Sequence, residues 1–219
     1  MSKKIICVNG DSYTEEYHLG EEHRWSTALG ASHNLAIAGA SNDRIFQTTI
    51  DYLNDNTPDI LIIGWTDWSR FMLPCEKGSR YFITPHHTGL ELSSENQDGS
   101  YVGKFYYTHL HNDYTNFKNM LNYMLHLQSY CKVKNIKLLF FFSVVDDRWL
   151  NEHTIAEISQ NTEQEDELRR LIEKIDETIW IKEKFYSMNK HCQGYATDDT
   201  FHFLEEGSRH WAKLVGLYL

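Results

Sequence analysis

The sequence is short of cysteine pairs, of long apolar runs and of basic charge, and each shortage closes off a class of function. Four cysteines occur, Cys7, Cys75, Cys131 and Cys192, and none sits in a Cys-x-x-Cys pair. A zinc ribbon or a thioredoxin-type redox site is therefore not supported. A reduced, cytoplasmic compartment is the simplest reading. The first apolar run, Ile5-Ile6-Cys7-Val8, follows a basic start and is broken at once by Asn9-Gly10-Asp11. The longest later run, Leu138 to Phe142, is also short. Neither suffices for a signal-peptide core or a membrane span, so no membrane partner is expected. Lys plus Arg number 21 against 31 Asp plus Glu, a formal net charge of −10. Such a surface repels phosphate backbones and anionic lipid, which argues against nucleic acid as a partner. Internal repeats and low-complexity tracts are also lacking.

What is present is core material in an alternating order. Hydrophobic residues make up 41% of the 219 residues, enough for one large domain spanning 1–219. Lys3 to Val8 has the composition of a buried strand. Tyr13 to Gly30 is expected to be a helix with Trp25, Ala28 and Leu29 facing inward. Asn34 to Ala38 is a second short strand, and Ser41 to Leu53 a second helix capped by Ser41 or Asn42. The run "PDILIIG", Pro58 to Gly64, is the clearest central strand: continuously apolar and ending in glycine, as strands covered on both faces do. Asp113 to Lys132 places Phe117, Met120, Leu121, Met124 and Leu125 at helical spacing. Ile136 to Ser143 is a fourth strand. Thr162 to about Phe185 is helical with Leu168, Leu171, Ile172, Ile175 and Ile179 on one face, and Leu204 to Leu219 forms a last helix carrying Trp211, Leu214, Val215 and Tyr218. Alternation of this kind is the mark of an α/β protein with a parallel sheet and helices on both sides. Ligands of such sheets sit beyond the carboxyl ends of the strands.

Residues 65–112 break the rhythm with prolines, glycines and many aromatics, and are expected to be an insertion with one hairpin. Trp65 and Trp68, followed by Phe71, Tyr81, Phe82, Tyr101, Phe105, Tyr106 and Tyr107, serve either as the insertion's own small core or as a platform for substrate; the two uses are compatible.

The stretch "VNGDSYT", Val8 to Thr14, sets Ser12 between the first strand and a helix start. Ser12 either caps that helix or is a nucleophile whose oxyanion the free N–H groups of the helix start would stabilise. At the other end, "DDTFHF" offers Asp199-x-x-His202. A serine nucleophile needs an imidazole as base, and the imidazole needs a carboxylate to hold its tautomer and balance its charge. A lone Asp-x-x-His could equally be a solvated acidic loop. His86-His87 and His109-x-His111 are read as surface histidines, and no metal or other cofactor is expected. His18 and His23 lie near enough to Ser12 to touch a cleft, and His210 is placed on the last helix as structural or at the pocket rim. Arg44 and Arg70 either recognise an anionic substrate group or make surface ion pairs. The acidic run Glu163 to Glu167 suits a helix start and is assigned no function.

With these segments in view the sequence resembles the SGNH, or GDSL, hydrolase superfamily. Gly10-Asp11-Ser12 and Asp199-x-x-His202 carry the resemblance at the two ends. The tail continues with Gly207 and Trp211-Ala212, although Phe203 stands where the family often has proline. "IAGASND" supplies Gly39 for the second block. The third block, usually Gly-x-Asn-Asp, is Gly64-Trp65-Thr66-Asp67. The resemblance implies a flavodoxin-like three-layer α/β/α sandwich and ester hydrolysis through an acyl-enzyme. Ser12 would be the nucleophile, His202 the base and Asp199 its orienting carboxylate. The N–H groups of Ser12 and Gly39 would bind the oxyanion. Thr66 takes the place of a family asparagine in the oxyanion hole, where a hydroxyl has a shorter reach, and Asn42 is the alternative donor. Asp11, Asn42, Trp65, Asp67 and Trp68 would line the substrate, a small-molecule or carbohydrate ester. The same residues are compatible with acyl transfer to a sugar hydroxyl, and a catalytically weak binding module on the same fold is the alternative from another class.

Overall fold

The computed structural model describes residues 4–74, 80–83, 103–143, 152–199 and 201–219. Cys75, Pro85, His86, His87 and Tyr101 lie outside them. Four strands form the main sheet: β1 (Ile6–Asn9), β2 (His33–Asn34), β3 (Ile60–Trp65) and β6 (Lys137–Phe142), in the order β2-β1-β3-β6. All pairings are parallel, with Val8 opposite Ile62 and Ile62 opposite Leu139. Beyond β6 the edge is extended by Trp180 and Ser187, which bridge in parallel to Phe140 and Phe142. This is the strand order of a flavodoxin-like sheet.

β3 is a strand because its β-branched run has both faces buried. Side chains alternate across a strand, and here both sets find apolar partners. Leu61, Ile63 and Trp65 join Cys7, Phe140 and Phe142 under α3 (Asn42–Asp55), α4 (Asp113–Lys134) and α6 (Thr162–Lys174). Ile60 and Ile62 join Val8, Leu139 and Phe141 under α2 (Trp25–Ala28) and α8 (Glu205–Gly216), through Trp25, Trp211 and Val215. The inward face expected of α4 is observed: Phe117, Met120, Leu121 and Met124 are buried. The insertion contains the expected hairpin, β4 (Phe71–Pro74) antiparallel to β5 (Arg80–Ile83).

The first helix departs from expectation. Tyr13 to Gly30 is not continuous: α1 (Ser12–Glu15) stops at Glu16, which takes a left-handed conformation with φ of 48°. A 3₁₀ turn, Glu21–His23, and then α2 follow. Glu16 turns its carboxylate inward, where Oε2 accepts the Trp25 N–H at 2.6 Å, the first free donor of α2. Trp25 is buried as expected, but Ala28 is exposed. The helix from Thr162 is likewise shorter. It ends at Lys174, and Ile175 leaves helical geometry yet stays buried. Two short helices, α5 (Glu152–Ile158) and α7 (Met188–His191), a π-helical turn at Tyr106–Leu110 and a 3₁₀ turn at Glu177–Ile179 are also present. No helix among the described residues is long and apolar enough to cross a membrane.

Candidate active site

The carboxyl end of β1 is tied down before Ser12 is reached. Asn9 is fully buried, and its amide donates to Ile45 O, Thr48 Oγ1 and Thr49 Oγ1 on α3. Gly10 is a close approach: a Cβ there would collide with Thr14 and lie 3.0 Å from Gly64 O. Asp11 then caps α1, its Oδ1 accepting the Tyr13 N–H at 3.1 Å. The capping role that sequence alone allowed Ser12 therefore belongs to its neighbour. Ser12 is the first residue inside α1, buried to 6% exposure.

Asp11 is fully buried and does more than cap. Its second oxygen accepts the Thr66 hydroxyl at 2.8 Å and pairs with Arg70 Nη1 at 3.0 Å. A buried carboxylate needs such partners, since an unpaired one costs several kcal/mol. Thr66, expected in the oxyanion hole, thus spends its hydroxyl on Asp11. Its backbone N–H and C=O are both bound by the Asn42 side chain, at 2.9 Å each. Arg70, expected either to meet an anion or to pair at the surface, instead pairs with this buried acid.

Trp65, Asp67 and Trp68, also expected at the substrate, all make contacts within the fold. Trp65 is wholly buried in the core, edge-on to Phe140 at 5.4 Å, because the strand continues through it and points it under the helices. Asp67 folds its own turn, Oδ1 accepting the Ser69 N–H at 2.7 Å. Trp68 is nearly buried, donates from Nε1 to Asp113 and packs edge-on to Phe117. It also lines a cavity of about 350 Å³ with Asn42, Arg70, Phe71, Tyr106 and Tyr123. Phe71 and Tyr106 stack there at 4.1 Å. Arg70 and Asn42 line this cavity and also bind Asp11 and Thr66, so they link its wall to the segment that precedes Ser12.

Gly39 follows β2 with φ of +74°, a left-handed position that suits glycine. The Glu15 carboxylate of α1 accepts the Ala38 N–H. That bond ties the Gly39 loop to the helix of Ser12. Nothing in the sequence pattern singled out Glu15.

The chain ends meet at this place. The Tyr13 hydroxyl donates to Phe201 O at 3.1 Å, and His18 Nε2 donates to Phe203 O at 2.9 Å. The His202 ring lies 4.9 Å from the Tyr13 ring and 5.1 Å from that of His18. The residue facing His202 is Asp198, whose Oδ1 is 3.8 Å from Nδ1 and accepts the His202 backbone N–H at 2.9 Å. Asp199 is exposed. The expected Asp-x-x-His pairing is thus replaced by a spacing one residue longer. The cause is a tight loop in which Thr197 pairs with Phe203, Asp198 with His202, and Phe201 adopts φ of 65°. Burial lowers the pKa of His202 below the usual histidine value. His18 and Arg70 push the same way, and Asp198 and Asp11 oppose them.

Other described histidines lie elsewhere. His23 pairs with Glu205, and His210 stacks on His191. His111 contacts Asp113, and His109 packs on Phe105. Burial pushes the Cys7 thiol up to about 12, in keeping with an inert strand residue.

A family model described as "Family of unknown function (DUF6071)" matches residues 9–178, a span that holds Ser12, Gly39, Thr66 and Arg70 and ends before Asp198 and His202. No curated protein matches the chain in sequence. Among solved structures, the chain is similar to TesA, with a TM-score of 0.54 and 12% identity over 99% of this chain and 98% of that one. A protein from Desulfitobacterium hafniense DCB-2 placed in the G-D-S-L family gives a TM-score of 0.50 at 10% identity, covering 99% and 100%. LAE5, an alpha/beta hydrolase enzyme from the metagenome of Lake Arreo, Spain, gives 0.50 at 10%, covering 99% and 95%. The fold is that of the SGNH/GDSL hydrolases.

Proposed function

The chain belongs to a family of unknown function, DUF6071, and from its site we propose that it is a serine ester hydrolase working through an acyl-enzyme. The observation that carries this reading is the meeting of the two chain ends: the segment of Ser12 and the segment of His202 share a hydrogen bond and a ring contact. With Asp11 as the cap, the Ser12 hydroxyl is left for chemistry. Ser12 Oγ attacks the ester carbonyl carbon as His202 takes its proton. The N–H groups of Ser12 and Gly39 bind the oxyanion, and His202 then protonates the departing alcohol. Water attacks the acyl carbon as His202 takes a proton from it; the bond to Ser12 Oγ then breaks, His202 returns that proton to Oγ, and the acid leaves. Asp198, in place of Asp199, holds the imidazole.

Without an asparagine at position 66, a side-chain donor to the oxyanion is missing, a loss of about 10²–10³ in turnover where it has no substitute. Arg70 is the substitute this structure offers. A guanidinium carries five N–H donors, and Arg70 is held one residue from Ser12 by its pairing with Asp11. The adjoining cavity, walled by aromatic rings and amides, suits the sugar part of an acylated carbohydrate or another small polar ester.

The test is turnover of a short nitrophenyl ester and labelling by a fluorophosphonate probe. Ser12→Ala should lose both and unfold at the wild-type temperature; a variant as active as wild type ends the reading. A non-catalytic module on this fold draws on the commitment of the Thr66 hydroxyl to Asp11, and it predicts a wild-type protein that takes no label. Acyl transfer to a sugar hydroxyl would use the same residues and is distinguished by its product.

A further inference from the structure

We propose that His18, Asp198 and His202 form a binding site for a zinc-class transition-metal ion, and that the ion and the Ser12–His202 relay compete for the same imidazole. One donor atom from each of the three residues lies within 4.8 Å of the others, and all three side chains are half-buried. Two imidazoles and a carboxylate are a donor set that favours zinc over magnesium or calcium. Tetrahedral zinc at about 2.0–2.2 Å from each ligand would draw the donors together by roughly 1–1.5 Å, within reach of side-chain rotation.

The supporting observation is the state of His18. Its Nε2 lies 2.9 Å from Phe203 O. A carbonyl can only accept, so Nε2 carries the proton and Nδ1 of the neutral ring carries the lone pair. That Nδ1 is buried and has no hydrogen-bond partner among the described residues. A histidine whose N–H is held by a backbone carbonyl while its other nitrogen is open has the arrangement that orients metal ligands. The proposed relay makes no use of His18.

The competition rests on the reading of His202 as the base. If the ion takes Nε2, the lone pair needed by Ser12 is gone. If it takes Nδ1, the ring proton moves to Nε2 and blocks it. Either way the zinc-bound state cannot accept the serine proton, and the site acts as an inhibitory one with a fourth coordination position open to water.

Isothermal titration of chelator-treated protein with zinc chloride tests the site without reference to activity. Wild type and Ser12→Ala should each bind one ion per chain in the micromolar range or tighter. His18→Ala should bind at least about tenfold more weakly, as should His18→Gln, which can still donate to Phe203 O. Ester turnover by wild type should fall with the same zinc midpoint, and magnesium should have no effect. Wild type that takes up no zinc, His18 variants that bind as tightly, or bound zinc that leaves turnover untouched would each overturn the proposal. Chelator-treated protein that binds zinc through His18 but turns over no ester would uphold the site and sink the proposed function. Turnover without zinc binding would do the reverse.

Discussion

His202 is held between opposing influences, and the balance has a sign that can be measured. Burial, His18 and Arg70 favour the neutral ring, while Asp198 and Asp11 favour the charged one. The net effect lowers the pKa, and in the proposed relay the neutral ring is the base. The acid limb of kcat/KM for a nitrophenyl ester should therefore fall below the ordinary histidine value of about 6.5. Asp198→Asn removes an influence that raises the pKa, so the limb should move further down while kcat drops. An unchanged limb in that variant would mean Asp198 does not act on the ring. Arg70 gives a second residue-scale expectation. Arg70→Met leaves the buried Asp11 carboxylate without its cation, which should cost about 3 kcal/mol in urea unfolding. Ester turnover should fall with it if the guanidinium serves the oxyanion.

Among the elements, β3 and α1 are in such close contact that one atom matters. A Cβ on Gly64 would sit 2.6 Å from Phe141 Cζ and 2.8 Å from Thr14 Oγ1. Gly64→Ala should cost about 1–3 kcal/mol by overpacking. Because Thr14 lies on the helix of Ser12, it should also reduce turnover more than a distant substitution of equal stability cost. Chemical denaturation and kcat, measured on the same preparation, check both. At α6, Asn161 accepts the Gln164 N–H at 3.0 Å. Asn161→Ala should cost about 1 kcal/mol with no effect on turnover, which makes it a fair control.

For the whole molecule, stability should depend on Glu16. It joins α1 to α2 and is 1% exposed. Burial raises its pKa from 4.5 to about 7. A carboxyl raised in the folded state binds a proton more tightly there than in the unfolded chain. Its contribution is fully present below the unfolded pKa of 4.5 and is lost as pH rises through about 7. The loss is on the order of 3 kcal/mol at most. The formal charge of −10 works in the same direction, since self-repulsion grows as the remaining carboxyls and histidines lose protons. Thermal unfolding followed from pH 5 to pH 8 should show the decline, and Glu16→Gln should flatten it.

The sequence by itself determined the layered α/β architecture. β3, α4 and α8 are long enough, and regular enough in their apolar spacing, for burial to dominate every local alternative. It also determined that Gly10-Asp11-Ser12 ends a central strand. Only the tertiary structure decided what the polar residues do, because hydrogen bonds depend on partners distant in the chain. Asp11 became the cap and the partner of Thr66 and Arg70, some 55 and 59 residues away. The break after α1 came from a glutamate turning inward to a tryptophan N–H, a contact that no periodicity signals. In the tail, a one-residue difference in a tight loop chose Asp198 over Asp199, since two adjacent acids look alike in sequence and only the folded backbone says which one faces the ring.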